Sequence, residues 1–261
     1  MKLKWCGTAT ILLEHEGARL LFDPFLARNS KVFQPSLDEL AAARTILLTH
    51  GHLDHAVDVP KILSHGLGKS AVYCTAAPCN ALLSQGVDAA CLHTIVPGDI
   101  LNLRPFTVRV LKGRHIVFDV PLLLRTLINP RVLLYWSNFW HMFKANKIYA
   151  EAGETVVYDI DVAHKRILLM GSLNLDDATE YPTGVDLLVL PFQGRSDIAR
   201  YALPIIEWLQ PKRVLLDHYD NTFPPLSSAV KTGPFIAAMQ KEHSAVQVLC
   251  LQPGADWLEL E

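Results

Sequence analysis

Four short apolar runs in this chain each lead into residues able to do chemistry. Residues 45–48 lead into His50, 108–111 into His115, 167–170 into Gly171-Ser172, and 214–216 into Asp217-His218. Their length suits strands, and the continuous apolar run that ends at Leu190 suits a strand buried on both faces. Loops just past strand ends are where α/β folds commonly build their sites. A fold that aligned these four ends would gather histidines and carboxylates from distant parts of the sequence.

The first of these ends is the densest. Thr49-His50-Gly51-His52-Leu53-Asp54-His55 puts three imidazoles and a carboxylate within six residues. Such a cluster rarely serves packing, because His and Asp are costly to bury unpaired. Neutral imidazole and carboxylate suit zinc, and imidazole also suits neighbouring first-row metals. The plainer reading is a solvated loop that happens to be rich in histidine.

The rest of the pattern predicts a mixed α/β chain. Strands are expected at residues 2–6, 10–14 and 19–23, with a turn at Glu16-Gly17, and again at 44–49 and 71–74. Ser36-Leu37-Asp38-Glu39 matches a capping box and should open a helix through Ala43. Helices follow at 57–64 and 77–84. A strand pair at 100–103 and 106–111 precedes a hairpin of 155–160 and 166–170. A strand at 186–190, a helix from a Ser196 cap to Leu209, a strand at 213–216, a helix at 234–243, and strands at 246–249 and 257–260 complete the chain. Hairpins early and in the middle argue for mixed sheets rather than pure βαβ winding.

With 261 residues, half of them hydrophobic, the chain can build a substantial core. No linker divides it, so one domain over 1–261 is expected. A net charge of -2 and the lack of a long basic run argue against nucleic acid as a partner. The five cysteines (Cys6, Cys74, Cys79, Cys91 and Cys250) are odd in number and form no C-x-x-C pair, which fits a reduced setting. The start of the chain lacks a long apolar h-region, so a cytoplasmic location is expected. No apolar run is long enough to span a bilayer.

His50-x-His52-x-Asp54-His55, followed by His115 and His218 in order and approximate spacing, resembles the metallo-β-lactamase superfamily. Gly7-Thr8-Ala9-Thr10 together with Leu21-Phe22-Asp23-Pro24 is similar to the branch that holds L-ascorbate-6-phosphate lactonase and related hydrolases. The resemblance spans nearly the whole chain and is specific for fold and metal chemistry, far less so for substrate. It implies a four-layer αββα sandwich of two mixed sheets with helices outside and a metal centre at one sheet edge. It also implies one or two divalent ions, zinc first and manganese or iron as alternatives. His50, His52 and His115 would hold the first ion; Asp54, His55 and His218 the second. The family's bridging aspartate is replaced here by Ser172, a much poorer bridge, which puts the second ion in question. Asp176 and Asp177 lie close enough in sequence to compensate, but a solvated turn is the plainer expectation for them.

The implied activity is hydrolysis of a small ester, lactone, amide or phosphodiester by a metal-bound hydroxide formed near neutral pH. Asp54 would be the catalytic carboxylate, orienting the nucleophile or acting as general base where the second ion is absent. Asp23 would hold a ligand imidazole from behind, or simply turn the chain before Pro24. Gln193 and Arg195 lie in a loop that could face the ions. Arg195 could bind a substrate anion, or the segment could be only a Gly turn and a helix cap. Tyr219 would reach substrate or pack. Of the other histidines, only His141 is held open for a role. The rivals are an RNA-cleaving nuclease, an iron oxidoreductase, and a metal-binding protein with reduced catalysis. A small-molecule substrate is the expected partner, and a homo-oligomer is allowed.

Residues 117–147 form an unusual insert. Leu122-Leu123-Leu124, Leu127-Ile128, Val132-Leu133-Leu134-Tyr135-Trp136 and Phe139-Trp140 alternate with Arg125, Arg131, Lys144 and Lys147. Trp136, Phe139, Trp140 and Phe143 recur at helical spacing. Three readings compete: a buried hairpin or subunit interface, a lid over an apolar substrate pocket, and, least expected, contact with a membrane surface.

Overall fold

The computed structural model describes residues 1–68 and 70–260, with residues 123, 125–127 and 131 described by their backbone alone. The side chains of Leu123, Leu127, Arg125 and Arg131, part of the insert's pattern, lie outside the described residues.

Two seven-stranded sheets face one another. The first holds β1 (Lys2–Trp5), β2 (Ile11–His15), β3 (Ala18–Phe22), β4 (Thr45–Leu47), β5 (Ala71–Cys74) and β6 (Leu92–Thr94). The second holds β7 (Ile100–Leu103), β8 (Phe106–Lys112), β9 (Val156–Val162), β10 (Lys165–Met170), β11 (Leu187–Pro191), β12 (Arg213–Asp217) and β13 (Gln247–Cys250). The last strand, β14 (Leu258–Glu259), returns to the first sheet and pairs with β1, giving the orders 14-1-2-3-4-5-6 and 13-12-11-10-9-8-7. Each sheet has three antiparallel pairings followed by three parallel ones. The two halves thus share one plan that no sequence repeat announces.

The continuous apolar runs are explained by burial on both faces. In β11, Leu187 and Val189 pack between the sheets with Trp5, Phe22 and Tyr158, while Leu188 and Leu190 face outward. The outward set meets α8 (Ile198–Leu209) and α9 (Gly233–Glu242) through Ile198, Ala202, Ile206 and Phe235. On the other side Leu12, Leu21, Ile46 and Val72 turn outward onto α1 (Leu37–Ala41), α2 (Leu53–Ala56), α3 (Val59–His65) and α4 (Ala76–Ser84). This is the expected αββα arrangement of two mixed sheets.

The insert forms α5 (Val120–Leu127), α6 (Arg131–Leu134) and α7 (Trp136–Ala145). It is anchored by Asn138, whose Nδ2 donates to Pro224 O at 2.7 Å, and by Met142 packing on the first helical layer.

Several local expectations are corrected. Ser36 makes no side-chain cap, and Glu39 bonds Lys4 Nζ at 2.7 Å rather than closing a capping box. Ser196 does not cap α8; its hydroxyl bonds Asp119, and Asp197 takes the cap position. The helix placed at 57–64 is α3, preceded by a short helix, α2, that the pattern did not predict, and the short, half-polar β6 carries too little periodicity to be read.

Candidate metal centre

β8, β10, β11 and β12 run in one direction, so the residues that follow them emerge at one edge of the second sheet. The loop after β4 reaches the same edge from the first sheet. Two groups of ligand-type side chains result: His50, His52 and His115, and Asp54, His55 and His218. Within each group the donor atoms all lie within 4.8 Å of one another.

The spacing fits metal ligation. His50 Nε2 and His52 Nδ1 are 3.2 Å apart, and His218 Nε2 and Asp54 Oδ2 are 3.3 Å apart. Two ligands on a tetrahedral zinc with bonds of about 2.05 Å are separated by about 3.3 Å. His55 Nε2 stands 4.0 Å from Asp54 Oδ1.

Hydrogen bonds behind the rings aim them. His115 Nδ1 donates to Ile116 O at 2.8 Å, and His218 Nδ1 to Gln193 Oε1 at 3.2 Å, leaving each Nε2 toward its group. Asp23, fully buried, serves both groups. Its Oδ1 accepts from Thr49 N at 2.8 Å and its Oδ2 from Thr49 Oγ1 at 2.6 Å, while Oδ2 also lies 2.9 Å from His55 Nδ1. Because the Thr49 hydroxyl donates to Asp23, it accepts from His50 Nδ1, 3.0 Å away. A single carboxylate therefore backs one histidine of each group, the first through Thr49. That hydroxyl relay was not foreseen; a lone Thr before a histidine carries no periodic or motif signal.

The Gly7-Thr8-Ala9-Thr10 loop braces this arrangement. Thr10 Oγ1 donates to Asp23 O at 3.0 Å and accepts from Phe25 N at 2.9 Å. Thr8 O accepts from His218 N at 2.9 Å, tying the loop after β12 to the first sheet. Asp23 and His218 both take left-handed backbone, with φ of 43° and 57°. Such backbone is uncommon for residues with a Cβ and recurs at functional sites. Gly171 is demanded by close approach, since a Cβ there would run into the Thr49 side chain.

Electrostatics separate the two groups. Burial, reinforced by the neighbouring imidazoles, pushes His50 well below the ordinary histidine range. Burial lowers His52 too, and burial with the charge of His52 brings His115 down to about 4. His218 goes the other way: burial opposes its charge, but the hydrogen bond and charge of Asp54 raise it to about 9. Asp54 is correspondingly held well below the usual carboxylate range, against burial, by His55 and His218. Asp217, behind His218, is pushed well above that range by burial.

A cavity of about 120 Å3 joins His52, Asp54, His55, His115 and His218 with Ser172 and Gln193. Ser172 Oγ accepts from Ile116 N at 2.9 Å and so fixes the loop that carries His115. A second cavity of about 300 Å3 opens beside it, where His52, Asp54, Gln193 and His218 meet Leu53, Phe118, Leu122, Met142, Phe223 and Leu226.

One expectation is corrected here, and the structure places the remaining candidates. Asp176 is buried rather than solvated, held by Lys112 and Arg114 at 3.1 Å each; Asp177 is exposed on Arg114 at 2.7 Å. Neither joins the ligand groups, so neither supplies the missing bridge. Arg195 is taken by Asp197 at 2.6 Å and by Val117 O at 3.1 Å, and lines neither cavity. Tyr219 packs on Trp5 with ring centres 4.6 Å apart, and its hydroxyl bonds Leu251 O. His141 packs edge-on to Phe223, 6.2 Å between ring centres, outside both ligand groups.

The family model described as Beta-lactamase superfamily domain matches residues 2–218. A UPF0173 metal-dependent hydrolase of Carboxydothermus hydrogenoformans is 29% identical over 232 residues, covering 88% of this chain and 89% of the relative. Igni18, a metallo hydrolase of the archaeon Ignicoccus hospitalis, has a similar structure, with a TM-score of 0.65 at 18% identity over 100% of this chain and 99% of that one. An isothiocyanate hydrolase from Delia radicum gut bacteria gives the same TM-score at 14% identity, over 100% of this chain and 99% of that one. At such identity these structures speak for the fold alone.

Proposed function

The chain belongs to the beta-lactamase superfamily and is a metal-dependent hydrolase, and from that premise we propose that it cleaves small, uncharged ester, lactone or amide substrates with an apolar arm. The observation that carries this reading is the lining of the two adjoining cavities. Among the described residues no Lys or Arg faces either cavity, and Leu53, Phe118, Met142 and Phe223 wall the larger one. Phosphodiester substrates, and RNA above all, call for cationic side chains at the phosphate. Arg195, two residues beyond Gln193, is engaged by Asp197 and Val117 O.

In this reading His50, His52 and His115 hold one divalent ion, and Asp54, His55 and His218 hold a second. Zinc suits the imidazole-rich first set best, with manganese or iron as alternatives for the carboxylate-bearing second. A divalent ion held there supplies Lewis acidity, both to a water and to the substrate carbonyl oxygen. The protein supplies the rest. Asp54, in the second group, orients the attacking water. Gln193 fixes the His218 ring and borders both cavities, at the place where a substrate passes from the apolar chamber to the ligands. Leu53, Phe118 and Phe223 exclude bulk water from the substrate arm.

The test is a panel of neutral esters, lactones and amides against phosphodiesters of matched leaving group, with elemental analysis of the protein. Hydrolysis of the neutral set should be lost on chelation and in His50→Ala. Turnover that survives both, or a preference for phosphodiesters, would reject the reading.

A further inference from the structure

More of the exposed large apolar side chains among the described residues fall within 117–148 than in all the rest of the chain. Residue Ile128 on the loop after α5, Leu133 and Leu134 on α6, and Trp136, Trp140 and Phe143 on α7 are prominent among them; Leu133 and Leu134 are each 81% exposed. In α7 the exposure is organised. Met142 and Ala145 turn inward onto the first helical layer. Trp136, Trp140 and Phe143, spaced four and three residues apart, form an outward stripe on the other side. A helix apolar on both sides has one face without a partner. Contiguous exposed apolar surface of this kind marks an interaction site rather than ordinary surface.

Charge says what kind. From Val120 to Ala150 the sequence holds Arg125, Arg131, Lys144 and Lys147 and no Asp or Glu, in a chain whose overall charge is -2. Lys144 Nζ lies 5.5 Å from the centre of the Trp140 ring and Lys147 Nζ 5.0 Å from that of Phe143, so cations and indole share the same outer stripe. A second copy of this face would set like charges against each other. An anionic lipid surface satisfies both halves of the pattern: phosphates meet the basic groups, and aromatic rings sit at headgroup level.

The geometry points to residues 120–148 as a docking face for an anionic membrane surface. No helix among the described residues is long and apolar enough to cross a membrane, so the contact is peripheral. The same insert contributes Leu122, Met142 and Asn146 to the 300 Å3 cavity. Docking therefore places the entrance to that cavity beside the lipid. The inference stands on exposure and charge and holds whatever substrate is cleaved.

The test is flotation of the full-length, metal-loaded protein with vesicles of phosphatidylcholine alone and of phosphatidylcholine mixed equally with phosphatidylserine. Binding is expected to the anionic vesicles only, weakened by salt. The double variant Lys144→Glu/Lys147→Glu should lose more than about tenfold of it, at roughly a fivefold change per unit of charge near the surface. Trp140→Ser should weaken it while leaving metal content unchanged, which separates loss of docking from loss of fold. Absence of vesicle binding overturns the proposal. So does equal binding to both vesicle types, or a dimer in solution that Trp140→Ser dissolves.

Discussion

Asp23 Oδ2 stands 2.9 Å from His55 Nδ1 and, through the Thr49 hydroxyl, also fixes His50. One buried carboxylate thus orients a histidine in each ligand group. Asp23→Asn keeps the shape and removes the charge. Metal affinity should fall about 10–100-fold at both groups together, as is usual when a partner behind a ligand is lost. Competition with a chromophoric chelator measures this; loss confined to one group would show that Asp23 does not couple them.

Thr49 and Gly171 make a second test. Gly171→Ala drives a Cβ into the Thr49 side chain, displacing the hydroxyl relay. Overpacking of this kind costs about 1–3 kcal/mol. Thermal denaturation should show a lowered Tm, together with weakened metal retention; an unchanged Tm would mean the loop after β10 yields freely.

The two groups should load with different proton counts. In the metal-free protein at neutral pH the histidines of the first group are already neutral, His115 lowered to about 4 by burial and His52. His218, raised to about 9 against burial by Asp54, still carries its proton. Filling the first group should release almost none between pH 6 and 8, and filling the second should release the His218 proton. The sign for stability follows from the same shift. The raised His218 contributes fully to the metal-free fold below its ordinary value of 6.5 and loses that contribution as pH climbs through about 9. Calorimetry in buffers of different ionisation enthalpy counts the protons; equal release at both steps would refute the assignment.

Ser172 accepts a backbone hydrogen bond where a bridging carboxylate would stand. Ser172→Asp keeps an acceptor for Ile116 N and adds a charge beside both groups. The ratio of bound metal to protein after dialysis should rise. Ser172→Ala instead strands the buried Ile116 N–H, at a cost of about 1–3 kcal/mol. A metal ratio unmoved by Ser172→Asp would show that position 172 does not govern the second ion.

Met142 and Leu226, far apart in sequence, both wall the larger cavity. Enlarging either side chain, as in Met142→Trp, should raise KM for substrates with bulky arms and leave metal content alone. Unaltered KM across arm lengths would remove this chamber from the substrate path.

The ligand set could be read from sequence because its members are chemically unusual and each follows an apolar strand. What supports them could not. Thr49 and Gly171 matter through a contact between loops that follow strands of different sheets, and neither residue type advertises that. Asp176 reads as a surface turn because aspartate usually is one; only the fold brings Lys112 and Arg114 to it. Arg195 takes a carboxylate partner only two residues along, Asp197, which the pattern did not single out. The capping box at 36–39 loses Glu39 to Lys4, and the Ser196 hydroxyl goes to Asp119. In each case a local rule was overridden by a neighbour far away in sequence or by a stronger charge nearby.

Both ligand groups draw on the loop at 50–55 from one sheet and on His115 or His218 from the other. An unfolded chain presents only part of each set, so an ion that engages a complete set acts as a clasp across the seam between the halves. At a free concentration a hundredfold above its dissociation constant, each such ion favours the closed sandwich by about 2.7 kcal/mol. Metal supply would then decide how long this chain survives as well as how fast it works, and starvation for the ion would be felt first as a seam that opens.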